Sequence, residues 1–237
     1  MDVAVLTVGD ELLSGDTTNT NAAWLGRQLT ERGATVRRSV VVPDEVDVIA
    51  ETVGDLSDAH DAVVVTGGLG PTHDDVTMEG VAAAFDREMV EHPDAVTWFQ
   101  EHDSYDHQKL TEGTTHLPRG ARMIPNDEGV APGAVVENVY VLPGVPAEME
   151  AMFERVAAEF GGTRTYTEVV YTDEPESALL ERFEELRERF DVGVGSYPGN
   201  GVRVKIQHED AARAEEAAEW LRERVELQDE CREPAQR

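Results

Sequence analysis

Lysine is almost missing from this 237-residue chain: Lys109 and Lys205 are the only two, and every other basic residue is arginine. Twenty basic residues face 49 acidic ones, a formal net charge of −29. A field of that sign repels a phosphate backbone, which argues against general nucleic-acid binding. Cysteine occurs once, as Cys231 in a polar tail, so no internal disulfide can form and nothing asks for an oxidising compartment. Long apolar runs are also lacking. Val3 to Leu6 and Ala62 to Val65 are far too short to span a bilayer, so no membrane partner is expected. The start, Met1-Asp2-Val3, has neither the basic residues nor the apolar core of a secretory signal, and a cytoplasmic protein is expected. Two catalytic signatures are missing as well: the Gly-x-Ser-x-Gly elbow and the Gly-Lys-Ser/Thr phosphate loop. His92, His102, His107 and His116 cluster without zinc-ligand spacing.

The acidic residues are scattered, as in Asp44, Glu45, Asp47, Glu51, Asp55 and Asp58, instead of forming a tail. That pattern predicts a surface adapted to high salt, where screening quenches self-repulsion. The first 85 residues alternate strand and helix patterns. Val3 to Val8 reads as a strand buried on both faces of a parallel sheet. Asn19 to Arg32 reads as a helix with Ala22, Leu25 and Leu29 on one face and Gly33 at its end. Thr35 to Val42 is a second strand, the spacing of Val46, Ile49, Val53 and Leu56 a second helix, and Asp61 to Thr66 a third strand. A further helix is expected near Asp75. Short links and this alternation imply right-handed crossovers in an α/β fold. Pro93 is expected to open a helix, the polar stretch from Asp103 to Gly120 carries no assignable pattern, and Val135 to Val141 reads as a hairpin about Glu137-Asn138. Pro146 opens a helix running to about Phe160. Gly161-Gly162 is the best domain boundary, dividing a first domain, 1–162, from a small α+β domain, 163–237. In the latter, Leu179, Phe183, Leu186 and Phe190 form one helical stripe, and Ala214, Ala217, Leu221 and Val225 another. Pro198-Gly199-Asn200-Gly201 is expected to turn between two strands. Trp24, Trp98 and Trp220 read as packing residues.

The main chemical signal is Thr66-Gly67-Gly68-Leu69-Gly70-Pro71-Thr72-His73-Asp74-Asp75-Val76-Thr77, which leaves the carboxyl end of the third strand. Ligands bind at that edge in open α/β sheets. Glycines allow positive φ and close backbone approach, so successive amides can point at an anion. Thr72 and Asp75 have the spacing of a capping box. Asp74 and Asp75 beside such a cradle suit a hard divalent ion such as Mg2+, which takes one or two carboxylates and fills its shell with water and phosphate oxygens. A second loop, Gly9-Asp10-Glu11-Leu12-Leu13-Ser14-Gly15-Asp16, leaves the first strand on the same edge and leads to Asn19-Thr20-Asn21, where Asn19 or Asn21 can equally serve as a helix cap. Asp44, after the second strand, is either a third carboxylate there or another cap. Ala131-Pro132-Gly133 and Leu142-Pro143-Gly144-Val145-Pro146 are rigid bends whose simplest reading is structural.

Gly9 to Gly15, Asn19-Thr20-Asn21, Thr66 to Asp75 and Leu142 to Pro146 together resemble the molybdopterin-binding domain, and more closely the competence/damage-inducible CinA family. The resemblance covers about the first 160 residues, and the remainder is similar to the small KH-like domain that follows there. It implies a three-layer α/β sandwich with a mostly parallel sheet, a homo-oligomer (dimer or trimer), and a nucleotide or pterin ligand at the glycine loop. CinA-like proteins are associated with metal-dependent hydrolysis of ADP-ribose or dinucleotide pyrophosphates; their relatives adenylate molybdopterin or insert molybdenum. The implied site has Asp75, Asp74 and Asp44 as catalytic residues, with Asp44 or Asp10 orienting water, and Asp74 and Asp75 holding the divalent metal. Gly9, Glu11, Ser14, Asn19, Asn21, Thr66, Gly67, Gly68, Gly70, Pro71, Thr72, His73, Thr77, Pro143 and Gly144 surround the ligand, with molybdopterin as an alternative to a nucleotide. Many bacterial members carry lysine where His73 stands, which removes a fixed positive charge. The nicotinamide-nucleotide amidase domain of longer members has no counterpart in these residues, so deamidation is not implied. No Gly-x-x-Gly clamp occurs between Gly193 and Gly201, so the resemblance to KH domains does not imply RNA binding.

Overall fold

The computed structural model describes residues 1–70, 75–101, 113–163 and 165–228. The chain divides into two compact units, Met1–Gly162 and Thr163–Arg237.

In the first unit, strand β1 (Asp2–Val8) is followed by a single turn, α1 (Asp10–Leu13), and by helix α2 (Thr20–Glu31). Then come β2 (Thr35–Val42), α3 (Val46–Ala59), β3 (Ala62–Thr66), α4 (Thr77–Ala84), β4 (Met89–Glu91), α5 (Pro93–Glu101), β5 (His116–Pro118), β6 (Arg122–Ile124), β7 (Gly133–Val136), β8 (Val139–Leu142) and α6 (Pro146–Val156), which runs into a 3-10 turn, Ala157–Glu159. Six strands make one sheet in the order β2-β1-β3-β8-β7-β6. The pairs β1/β2, β1/β3 and β3/β8 are parallel; β7/β8 and β6/β7 are antiparallel. Alternation along β1 explains the layers. Ala4, Leu6 and Val8 enter one core with Ile49, Val53 and Leu56 of α3 and Met78 and Val81 of α4. Val3 and Val5 enter the other, with Leu25 and Leu29 of α2 and Met149, Met152, Phe153 and Val156 of α6. A sheet buried on both faces accounts for the unbroken apolar strands, and each fully buried Leu, Val or Phe contributes about 1.5–3 kcal/mol. The result is a three-layer α/β sandwich.

Three local readings need correction. Helix α4 begins after Val76, whose N-cap position has no side-chain cap, so Asp75 lies outside the helix and the predicted capping box does not start it. Helix α6 ends at Val156, and the last turn toward Phe160 tightens to 3-10 geometry. The short strands β4, β5 and β6 were not anticipated; with three residues each they are too brief to show a period.

The second unit comprises β9 (Tyr166–Thr172), α7 (Glu176–Phe190), β10 (Gly193–Gly199), β11 (Gly201–His208) and α8 (Ala211–Arg222). Its antiparallel sheet has the order β10-β11-β9. Leu179, Phe183, Leu186 and Phe190 of α7 and Ala217, Ala218 and Leu221 of α8 pack on Val170, Val202, Val204 and Ile206. The hairpin tip is tighter than expected, because Gly199 pairs with Gly201 and only Asn200 lies between. Pro198 is therefore a strand residue, tolerated because β10 is an edge. Among the described residues no helix is long and apolar enough to cross a membrane.

Candidate ligand site

Strands β1, β2, β3 and β8 run parallel, so the loops after all four open on one edge of the sheet. They enclose a cleft of about 740 Å³ lined by Thr7, Glu11, Asn19, Asn21, Asp44, Thr66, Gly67, Gly68, Gly70, Asp75, Glu79, His116, Pro143, Gly144 and Glu148, among others. Pro71, Thr72, His73 and Asp74, assigned to the site from the sequence, lie outside the described residues, as do His102, His107 and Cys231.

The glycine loop after β3 has the backbone its composition predicts. Gly67 and Gly68 have φ of 109° and 61°. A Cβ on Gly67 would lie 2.2 Å from the Val8 carbonyl oxygen, and one on Gly68 2.3 Å from Thr77 Oγ1. Both positions therefore exclude a side chain by conformation and by space. The Gly67 amide donates to Leu142 O at 3.2 Å, and Gly68 O accepts from the Thr77 amide at 3.2 Å. Among the described residues nothing accepts a hydrogen bond from the amides of Gly68, Leu69 or Gly70. Successive unsatisfied amides beside a cleft form a place for an anion. Thr77 is fully buried behind Gly68 and does not line the cleft.

The carboxylates gather around this loop. A Cβ on Gly70 would lie 2.6 Å from Asp75 Oδ2, and one on Gly68 3.4 Å from Asp44 Oδ1. Asp44 Oδ2 accepts from the Asp10 amide at 2.9 Å. Asp44 is thus a cap, although of α1 and not of its own helix α3, whose N-cap Glu45 has no side-chain bond. It ties the first loop to the second strand's exit while its other oxygen faces the glycine loop. Glu11 folds back on Gly9, where an added Cβ would meet its Oε2 at 2.7 Å.

A clasp of hydrogen bonds holds the wall beside the glycine loop. Thr66 Oγ1 donates to Pro143 O at 2.6 Å, and Asn21 Nδ2 donates to Gly144 O at 2.7 Å and to Thr66 Oγ1 at 3.3 Å. Gly144 can then approach closely: a Cβ there would lie 3.3 Å from Gly67 Cα. Asn19 caps α2, accepting from the Ala22 amide at 3.0 Å and donating to Thr7 Oγ1 at 3.0 Å. Ser14 and Asp10 are not among the lining residues; the Ser14 hydroxyl is 2.8 Å from Asp16 Oδ2.

Several lining residues escaped sequence reasoning. Glu79 and Glu148 stand in the first turns of α4 and α6, each helix following a loop at the binding edge; an acid in that position was the available signal. Glu148 is held by Asn126 Nδ2 at 2.7 Å. His116 comes from β5, which no periodicity announced.

Glu11, Asp44, Asp75, Glu79 and Glu148 give the cleft five carboxylates, and its described lining contains no lysine or arginine. Amides and the N-termini of α2 and α6 supply only partial positive charge. Among the described residues no three His, Cys, Asp or Glu side chains group as a metal cage. Asp44 and Asp75 both line the cleft beside the glycine loop, and Mg2+ needs only one or two carboxylates when a ligand's phosphates complete its shell.

Residues 4–161 match the family model described as "Probable molybdopterin binding domain". A protein of Archaeoglobus fulgidus is 40% identical over 225 residues, covering 94% of this chain and 97% of that one. A CinA-like protein of Frankia casuarinae is 44% identical over 170 residues, covering 65% of this chain and 38% of that one. The crystal structure of the protein CinA, of unknown function, from Thermoplasma acidophilum has a TM-score of 0.62 at 38% identity and covers 68% of this chain and all of that one. The fold and the glycine-loop cleft thus belong to a molybdopterin-binding domain. Within that class, the chain is a member of the CinA-like family.

Proposed function

We propose that this CinA-like protein is a metal-dependent nucleotide pyrophosphatase that cleaves ADP-ribose or a related dinucleotide at its phosphoanhydride, giving AMP and ribose 5-phosphate from ADP-ribose and water. The observation that carries the proposal is the meeting of three amides that no described residue engages, at Gly68, Leu69 and Gly70, with the carboxylates of Asp44 and Asp75 in one cleft. The amides bind a phosphate oxygen and hold it in place as charge develops there. Asp75, with Asp44 and the neighbouring Asp74, would hold a divalent ion such as Mg2+, which supplies charge neutralisation at the anhydride. The clasp of Thr66, Asn21, Pro143 and Gly144 keeps the wall beside the glycine loop rigid. A homo-oligomer, dimer or trimer, is the assembly that goes with this reading; light scattering after gel filtration reads its mass.

The test is a panel of ADP-ribose and dinucleotides at high salt with Mg2+ and other divalent ions, followed by chromatography of AMP. Asp75→Asn should lower turnover by at least about 100-fold while the fold is kept, the scale typical of removing a group that acts on transition-state charge. Turnover unchanged in that variant would remove the proposal. The family's description favours a second reading, in which the same cleft binds or adenylates a pterin. Native mass spectrometry of a co-purifying ligand separates the two, and binding without turnover would instead mark a non-catalytic module.

A further inference from the structure

Asn21 is buried, with 8% of its surface exposed, and lines the cleft. Its amide orientation is fixed by its neighbours: Nδ2 donates both to Gly144 O and to Thr66 Oγ1, and the Thr66 hydroxyl spends its own hydrogen on Pro143 O. Turning the amide over would press Asn21 Oδ1 against the Gly144 carbonyl oxygen. With the amide so held, Oδ1 has no hydrogen-bond partner among the described residues, although it is cut off from solvent. A buried amide oxygen left this way is costly, and nearly all such groups in folded proteins find a donor. Asn19, two residues earlier, makes the contrast, since its oxygen accepts from the Ala22 amide. The unsatisfied oxygen therefore belongs to the residue on the cleft wall, beside the loop that approaches Gly67.

Resting on the phosphate-binding reading above, we infer that Asn21 is a specificity-determining residue whose Oδ1 accepts a hydrogen bond from a neutral O–H or N–H donor of the ligand. The clasp puts this acceptor next to the glycine loop. The donor therefore sits on the part of the ligand that directly bears the phosphate. A ring carrying its phosphate on an exocyclic CH2 and offering a hydroxyl or ring N–H has that chemistry, whether it is a ribose 5-phosphate moiety or a reduced pterin phosphate. A bare polyphosphate does not. An added anion is also disfavoured there, because an oxygen lone pair repels it.

The experiment is a two-sided deletion cycle read by calorimetric binding to the full chain at high salt with Mg2+. One side compares wild type with Asn21→Ala and Asn21→Ser. The other compares ADP-ribose with its analogues lacking individual ribose hydroxyls, and a reduced pterin phosphate with its analogue methylated at the ring N–H. Loss of the matching donor should weaken binding to wild type by about tenfold and leave the variants almost indifferent. Weakening caused by a loosened clasp instead affects all ligands alike and leaves no coupling. Pyrophosphate, which lacks the donor, serves as the reference for that common loss: on the variants it should weaken no more than the donor-deleted analogues do. Coupling with a ribose hydroxyl or with the pterin N–H supports the inference and identifies the source. Binding of these ligands without coupling at any donor overturns it. No binding of any phosphate ligand, pyrophosphate included, overturns the functional reading itself.

Discussion

At the scale of single residues, the cleft depends on positions where a hydrogen atom is the only side chain that fits. Gly67→Ala combines a φ of 109° with a contact 2.2 Å from a carbonyl oxygen. Such a change should cost about 2–4 kcal/mol and lower the melting temperature of the first unit by roughly 5–15 °C. Gly15→Ala also meets a positive φ, 81°, but nothing lies within 4 Å of the added methyl; about 1 kcal/mol is expected there. Thermal melts of the two variants compare strain alone with strain plus collision. Tyr140 offers a second test. Burial, and then the hydrogen bond from its hydroxyl to Glu159 at 3.0 Å, push its pKa up to about 12. A phenol with a raised folded pKa contributes stability that is complete below its unfolded value near 10 and is lost as pH climbs from about 10 through 12. An absorbance titration near 295 nm should therefore show a late-ionising tyrosine, and Tyr140→Phe should remove that step. If all five tyrosines ionise together near pH 10 in the folded protein, the burial argument for Tyr140 fails.

At the scale of elements, glycines inside helices sort by what faces them. Gly26 in α2 and Gly54 in α3 have nothing within 4 Å of an added Cβ, so each Gly→Ala change should stabilise by about 0.5–1 kcal/mol. Gly80 in α4 is the opposite case: its Cβ would lie 2.5 Å from Ile49 Cγ2, so alanine there should force α4 from α3 and destabilise by about 1–3 kcal/mol. Urea unfolding of the three variants should give midpoints on both sides of wild type. The same elements show how far a sequence can be read. Strands β1 to β3 and helices α2 and α3 were legible because their apolar spacing runs for a full strand or several turns, and one buried sheet dictates it. The glycine loop was legible because only glycine has its backbone. Strands β4, β5 and β6 were not, since three residues carry no period, and β4 and β5 pair across more than twenty residues. His116, Glu79 and Glu148 were missed at the cleft for a related reason. Their place at the cleft comes from the fold, and the one local sign was an acid in a first helical turn at Glu79 and Glu148. Asn19 and Asn21 could not be told apart as caps in the sequence, and the structure makes Asn19 the cap of α2.

At the scale of the whole molecule, each unit has its own apolar core, one around the six-stranded sheet and one on the three-stranded sheet. The cleft draws all its described lining from residues before Gly162. A fragment of residues 1–162 should therefore fold cooperatively and bind phosphate ligands with the affinity of the full chain; a fragment that stays unfolded would place part of its stability in the remainder. Charge acts on both units together. Several arginines make ion pairs, among them Arg37–Asp2, Arg32–Glu154, Arg122–Glu159 and Arg182–Glu174, and with all 20 basic residues matched the chain would still carry an excess of 29 acids. Salt weakens such pairs, but exposed ones are worth only about 0–1 kcal/mol each. It also shortens the range of repulsion among the unpaired acids, from about 10 Å at 0.1 M to about 3 Å at 1 M. With acids outnumbering bases 49 to 20, the relief of repulsion outweighs the loss of pairs. Stability from urea unfolding should thus rise between 0.1 and 1 M KCl. The gain should shrink as pH approaches the isoelectric value near 4.4, where the net charge disappears. A gain independent of pH would instead identify a general salt effect on apolar burial, and a loss of stability would mean that the ion pairs, not the acidic excess, govern the fold.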